Sequence, residues 1–219
     1  MKGFFSLENP LMQFLTRVCD LMILNLLFLI SCIPVFTIGA AICGMCKVCQ
    51  AIVMDDGRGI FNLYVEGFKS NFKQATKVWL VALVIIASLV CYWILATNYC
   101  TGVLSYIIYA VMFLLGGVSL AVLSYLFPLI VRYDNSLKNH LRNAGVLAIT
   151  RLFLTAILMV LNVVPFVLPI LSLQSYVKTM IVWFVIGFAF LCYMCCLSIK
   201  PVFKQLEYKP DEEEDEDEE

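Results

Sequence analysis

The sequence predicts an all-α, polytopic transmembrane bundle, and three observations carry that prediction. Hydrophobic residues make up 62% of the 219-residue chain and charged residues only 14%, and the mean hydropathy of +0.92 lies far above that of water-soluble domains. Five apolar runs, 21–46, 78–96, 103–131, 146–171 and 179–199, are each long enough as helices to cross a hydrocarbon core of about 30 Å. The runs are continuous rather than alternating, which argues against a β-barrel. Residues 1–206 therefore read as one transmembrane domain of about five spans, with no soluble domain large enough to hold an active site. A secreted disulfide scaffold, an isolated nucleic-acid binder and a disordered chain are excluded, because none keeps this much apolar surface in water.

The first run is preceded by Glu8, Asn9, Pro10 and Asp20, which is too acidic for a cleaved signal. It reads as a single span with its start outside. Pro34 at its middle and Gly39 and Gly44 beyond it give the alternative, a broken or re-entrant segment that leaves Met1 inside. Lys and Arg set the orientation of the rest. Lys47, Arg58, Lys69, Lys73 and Lys77 lie between runs one and two, Arg132, Lys138 and Arg142 between runs three and four, and Lys200, Lys204 and Lys209 after run five. The intervening loops, 97–102 and 172–178, hold only Lys178. The basic segments and the C-terminus are thus expected in the cytoplasm of a multi-pass protein of the bacterial plasma membrane.

Net charge conceals this asymmetry. The formal total is −1, but all 15 Lys and Arg and only seven of the 16 acids precede residue 211, so a body of +8 carries a tail of nine acids, Asp211 to Glu219. Composition predicts that the tail, 207–219, is disordered.

Between runs one and two, Phe61, Tyr64, Val65, Phe68 and Phe72 recur at helical spacing, and Lys69, Lys73 and Lys77 form a second row at i+4. This predicts an amphipathic basic helix, suited to anionic lipid headgroups or to a docking partner; the plainer alternative is a connector with aromatics at headgroup level. The pattern returns 69 residues later. Phe68-Lys69-x-x-Phe72-Lys73-Gln74-Ala75 is matched by Leu137-Lys138-x-x-Leu141-Arg142-Asn143-Ala144, and Pro128 and Arg132 end run three as Pro201 and Lys204 end run five. The unit, 61–132 and 134–204, is basic helix, span, short outer loop, span, repeated in parallel as in some transporters.

The stretch from Glu8 to Ala41, E-N-P-L-M-Q-F-L-T-R-V-C-D-L-M-I-L-N-L-L-F-L-I-S-C-I-P-V-F-T-I-G-A-A, resembles the opening of the YesL family of bacterial integral membrane proteins, including Asp20, Asn25, Pro34, Thr37 and Gly39. Residues 68–80 and 137–144 resemble it as well, so the likeness extends over about 200 residues. It implies a polytopic membrane protein of unassigned activity, mostly from Gram-positive bacteria, whose genes often neighbour those for sugar uptake and sugar hydrolysis. It brings no catalytic residues, and the acidic tail departs from the family pattern.

Few side chains suggest chemistry. Cys43-x-x-Cys46-x-x-Cys49 has the spacing of part of a metal site, with Cys192, Cys195 and Cys196 able to complete it; the favoured reading is of small apolar thiols, so no metal or other cofactor is expected. Asp20, Asn25, Arg151 and Asn162 are the polar groups of the spans, serving either a solute path or helix packing. Asn162, Pro165 and Pro169 break run four, while Ala40/Gly44 and Gly117/Ala121 suit close helix contacts. His140 is the only histidine, and the phosphate-binding, zinc-protease and nucleophile-elbow motifs are missing. The expectation is a non-enzyme with no catalytic residues and no nucleic-acid partner. It would contact the bilayer, anionic headgroups and a membrane complex such as a sugar importer through Lys69, Lys73, Lys77, Lys138 and Arg142; the alternative is a small solute transporter or channel built on the repeat.

Overall fold

The computed structural model describes residues 10–54, 56–99, 101–167 and 173–207, and the acidic tail from residue 208 onward, Cys100 and Pro169 lie outside the described residues. The protein is all-helical, with no strand among the described residues: α1 (Pro10–Ser31), α2 (Ile38–Val53), α3 (Ile60–Tyr99), α4 (Val103–Arg132), α5 (Leu137–Thr150), α6 (Leu152–Val167), α7 (Leu173–Val182) and α8 (Phe188–Glu207). Five helices are long and apolar enough to cross a membrane, or six when the bent pair α5–α6 is taken as one span. The apolar exteriors of α3, α4 and α6, with Val84, Phe113 and Phe153 at 70%, 85% and 82% exposure, suit a lipid surround rather than water.

The boundaries differ from the sequence reading at two places. Run 21–46 is not one helix. It breaks at Cys32–Pro34, where proline supplies no N–H and takes an extended conformation, and a 3-10 turn, Val35–Thr37, starts the return. Buried Thr37 closes the corner by donating to the carbonyls of Ser31 and Pro34, both at 2.6 Å. α1 and α2 form a hairpin: Gln13, Thr16, Arg17 and Asp20 share a cavity with Ile52, Asp56 and Gly57. The start of α1 therefore lies at the same end of the bundle as the α2–α3 loop, the geometry of the broken-segment alternative.

Run 146–171 is divided too. Its first residues complete α5, and the chain turns by 103° into α6. Arg151 leaves the helical conformation as the C-cap of α5. Thr155, buried, donates to the carbonyls of Ala148 and Arg151, both at 3.0 Å, and shares a 3.0 Å hydrogen bond with the hydroxyl of buried Tyr125. This polar knot satisfies backbone groups that the bend frees.

α2 packs so closely on α3 that three glycines are needed. A Cβ on Gly39 would stand 2.4 Å from the Ala75 carbonyl oxygen and 2.6 Å from Trp79 Cβ; one on Gly44 would stand 2.9 Å from the Tyr64 oxygen, and one on Gly67 2.7 Å from Lys47 Cβ. Trp79 Nε1 also donates to the Val35 carbonyl at 2.8 Å. Gly44 thus has the expected contact role. Gly117 does not need one, because its nearest neighbour would be Met159 Cε at 3.5 Å.

The opposite side of α2 meets α4 and α8. Buried Gln50 donates to the Pro128 carbonyl at 3.0 Å, and Lys200 Nζ donates to the Val53 carbonyl at 2.8 Å, capping α2. Pro128 does not end α4, which runs on to Arg132. Arg132 holds Glu207 by paired bonds of 2.6 and 2.7 Å, joining the ends of α4 and α8. The core is accordingly densest around α2, at the end where the basic residues gather.

Candidate functional site: a basic face and its buried polar supports

The basic rows lie on surfaces that the core leaves open. α3 is continuous from residue 60 to 99, 40 residues, or about 60 Å, so its basic half stands in line with its membrane-crossing half instead of lying flat beneath it. Tyr64, Gly67 and Ala75 face α2 and are buried, whereas Lys69, Lys73 and Lys77 are exposed. The i+4 row falls roughly opposite the α2 contact because each residue turns the helix by about 100°. Phe61 of the aromatic row stays exposed, while Tyr64, Phe68 and Phe72 stack successively at 6.3 and 5.6 Å.

The second row joins the first. Lys138 and Arg142 are exposed on α5, and Gln74 Nε2 donates to the Asn135 carbonyl at 3.1 Å, tying α3 to the loop before α5. Between the rows is an apolar groove of about 360 Å³, where Lys77 and Val78 face Leu126, Leu137 and Leu141. His140, on the inner face of α5, is buried beside a second cavity of about 630 Å³ that Arg142, Asp134 and Tyr133 also line. Its Nε2 has no hydrogen-bond partner. Burial lowers its pKa and Asp134 opposes the shift.

Ion pairs fix the loop at the foot of this face. Arg58 pairs with Asp56 at 2.7 Å and with Glu66 at 3.4 Å, and Lys47 also reaches Glu66 at 3.4 Å. The Arg58 hydrogen bond holds the Asp56 carboxyl below the ordinary aspartate range.

The four polar residues of the spans do not converge on a path. Asn25 is fully buried and belongs to the last long helix: its amide donates to the carbonyls of Trp183 and Phe184 at 3.2 and 2.7 Å, and its oxygen accepts from the Ala189 N–H at 3.1 Å. The two carbonyls belong to a π-helical turn, Trp183–Gly187, between α7 and α8, and the Ala189 N–H to the first turn of α8. A π-turn leaves helix hydrogen bonds unmade, and the Asn25 amide replaces them. Asn162 donates to its own helix at Leu158 and approaches Cys195 Sγ at 3.7 Å. Asp20 lies near the basic end, and exposed Arg151 bonds to Gln205.

Sequence reasoning missed the π-turn and the Tyr125–Thr155 knot. A single residue has no signal for the carbonyl it will meet 158 positions later; only Gly187, whose Cβ would lie 2.6 Å from the Trp183 ring, marks the tight winding there. The cysteines were half legible. Cys46, Cys192 and Cys196 do come together, with every pair of sulfurs within 4.8 Å.

The fold and its surfaces define a membrane-embedded helical bundle with a hairpin-packed core at one end. Residues 21–93 match the family described as Protein of unknown function, DUF624, a third of the chain that includes the Asn25 clamp, the Pro34–Thr37 corner and the glycine contacts. No curated protein and no solved structure matches the chain.

Proposed function

We propose that the protein is an accessory or regulatory component of a membrane complex, acting by contact through its paired basic rows rather than by chemistry or by carrying solute. The observation that carries this reading is the exposure of Lys69, Lys73, Lys77, Lys138 and Arg142 beside an apolar groove, while Asn25, the deepest polar group, is spent on backbone hydrogen bonds. A coupled carrier needs a titratable or substrate-binding group near the midplane, and the use of Asn25 as a clamp argues for packing over transport. The YesL resemblance supplies the context, a bacterial membrane protein associated with carbohydrate uptake, and the distribution of Lys and Arg favours a cytoplasmic basic end and C-terminus. Each basic side chain contributes about 1 kcal/mol of attraction to an anionic surface, so lipid headgroups assist the docking.

The test is paired. Crosslinking and affinity purification from a native host should recover a permease, and recovery should fail when Lys69, Lys73, Lys138 and Arg142 are neutralised. The pure protein in proteoliposomes should take up no mono- or oligosaccharide under a proton or sodium gradient. Uptake abolished by Asn162→Ala, with no stoichiometric partner, would overturn the reading in favour of a transporter. Orientation is read in whole cells by an impermeant thiol reagent, which should modify a variant that retains Cys100 alone.

A further inference from the structure

We propose that Cys46, Cys192 and Cys196 form a binding site for a soft, thiophilic metal ion, Cu(I), at the crossing of α2 and α8. Six of the chain's ten cysteines fall on two short stretches, 43–49 and 192–196, and the fold brings those stretches face to face from positions 146 residues apart. Cys192 and Cys196 are one helical turn apart, so their sulfurs share a face. Cys46 enters from α2, with its sulfur 3.6 Å from that of Cys192, and all three sulfurs lie within 4.8 Å of one another.

Those separations suit a common ligand. Three sulfurs around one ion at a metal–thiolate distance of about 2.3 Å stand about 4 Å apart, so only small side-chain rotations are needed. The donor set selects the ion. It contains sulfur alone, without histidine or carboxylate, and thiolates favour Cu(I), zinc and iron–sulfur centres. Structural zinc and iron–sulfur clusters take four protein ligands; Cys49 interacts with Cys192 and Cys196 but falls outside the set whose sulfurs all lie within 4.8 Å of one another, and it also donates to the Ala189 carbonyl at 3.8 Å. Three-coordinate Cu(I) is what remains. Cys46 and Cys196 are 4% and 3% exposed, while Cys192 is half-buried, and each thiol that binds releases its proton.

The surroundings hold the three residues in place. α2 is seated on α3 through Gly39, Gly44 and Gly67, and α8 is fixed just before Cys192 by Asn25 at Ala189. Preorganisation of this kind separates a site from thiols that merely share a core.

The purified full-length protein, kept reduced and anaerobic in detergent, is titrated with Cu(I) against a chromophoric Cu(I) chelator. One Cu(I) per chain should be withdrawn, and X-ray absorption should show three sulfur neighbours at about 2.3 Å. Cys192→Ser and Cys196→Ala should each weaken retention by about tenfold or more, while Cys19→Ser and Cys91→Ser leave it unchanged. Cys43→Ala removes another buried thiol of α2 and controls for core damage, read as elution volume and melting temperature. No stoichiometric copper in the unsubstituted protein, equal loss in Cys43→Ala, preferential four-sulfur zinc at these cysteines, or isolation of a Cys46–Cys192 disulfide in place of the metal would each overturn the assignment.

Discussion

The two segments that the sequence pattern pairs, 61–132 and 134–204, begin alike and fold differently. In the first, α3 carries its basic row straight into a membrane-crossing helix, and the glycine-packed hairpin braces it. In the second, the same pattern becomes α5, which turns by 103° before α6. The offset of 69 residues names the cause. Val81, Ala82 and Ile86 of the first copy correspond to Thr150, Arg151 and Thr155 of the second. Apolar side chains let α3 continue, whereas Arg151 exits to Gln205 and Thr155 accommodates the corner by bonding to Ala148, Arg151 and Tyr125. A repeated amphipathic pattern therefore specifies two helices of the same chemistry but not the angle at which each meets its span. The bend coincides with Arg151 and Thr155, whereas Thr150 bonds only to Val146 within α5.

The largest expected effect separates the braced helix α3, packed on Gly39 of α2, from the open helix α5. Gly39→Ala should lower stability by at least about 1–3 kcal/mol, the usual cost of overpacking, because the new methyl meets backbone at 2.4 Å. Gly145→Ala, in α5 with nothing within 4 Å of its Cβ, should instead stabilise by about 0.5–1 kcal/mol through helix propensity. Melting in detergent measures both, and equal shifts would remove the distinction between a braced and an open helix.

Asn25→Leu comes next. It removes the Asn25 partner of two part-buried carbonyls of the π-turn and of the buried Ala189 N–H of α8, at about 1–3 kcal/mol for an unsatisfied buried group. The first copy has no such dependence, since its counterpart stretch in α4, 114–118, is regular α-helix. Hydrogen exchange at Ala189 should accelerate, and an unchanged rate there would mean that the π-turn holds without the clamp.

Thr155→Val should cost about 1–2 kcal/mol and relax the α5–α6 corner. Spin-label distances between positions 141 and 163 should broaden and lengthen. The matching change in the first copy, Ile86→Thr, should leave α3 straight, because apolar Val81 and Ala82 stand where Thr150 and Arg151 do.

The smallest effect is a pH dependence confined to the second copy. His140 corresponds to Asn71, which bonds to Gly67 and does not titrate. Burial lowers the His140 pKa in the fold, so its contribution to stability is present above the unfolded value of about 6.5 and is lost as pH falls from there through the folded value. Hydrogen-exchange protection in α5, taken relative to the intrinsic rate at each pH, should fall on acidification from neutral pH while that of the basic half of α3 stays constant, and His140→Asn should abolish the difference.

What the sequence revealed and what it concealed divide along a physical line. Helix existence was legible because run length and composition are local sums. The hairpin was legible as an alternative because Pro34 removes a donor whatever surrounds it. The bend at Arg151 was hidden, since a hydropathy window averages Thr150 and Arg151 into their apolar neighbours. The basic rows were legible from i+4 spacing, but which side α2 would cover depends on Gly44 meeting Gly67 and on Gly39 admitting Ala75 and Trp79. Asn25 could be assigned to packing or to a path with equal ease, because the choice rests on Trp183 and Phe184 at the far end of the chain.

The Asn25 clamp also sets an order of events during synthesis. Its partners at residues 183–189 are about 160 positions downstream, and at about 5–20 residues per second the ribosome reaches them roughly 8–30 s after α1 has been made. Until then the asparagine amide of the earliest helix has no π-turn to satisfy, and the α1–α2 hairpin must wait in the bilayer with one face unfinished. A nascent chain arrested before residue 183 thus presents a polar group in lipid, a feature that membrane quality control can recognise, and completion of the last helix removes it.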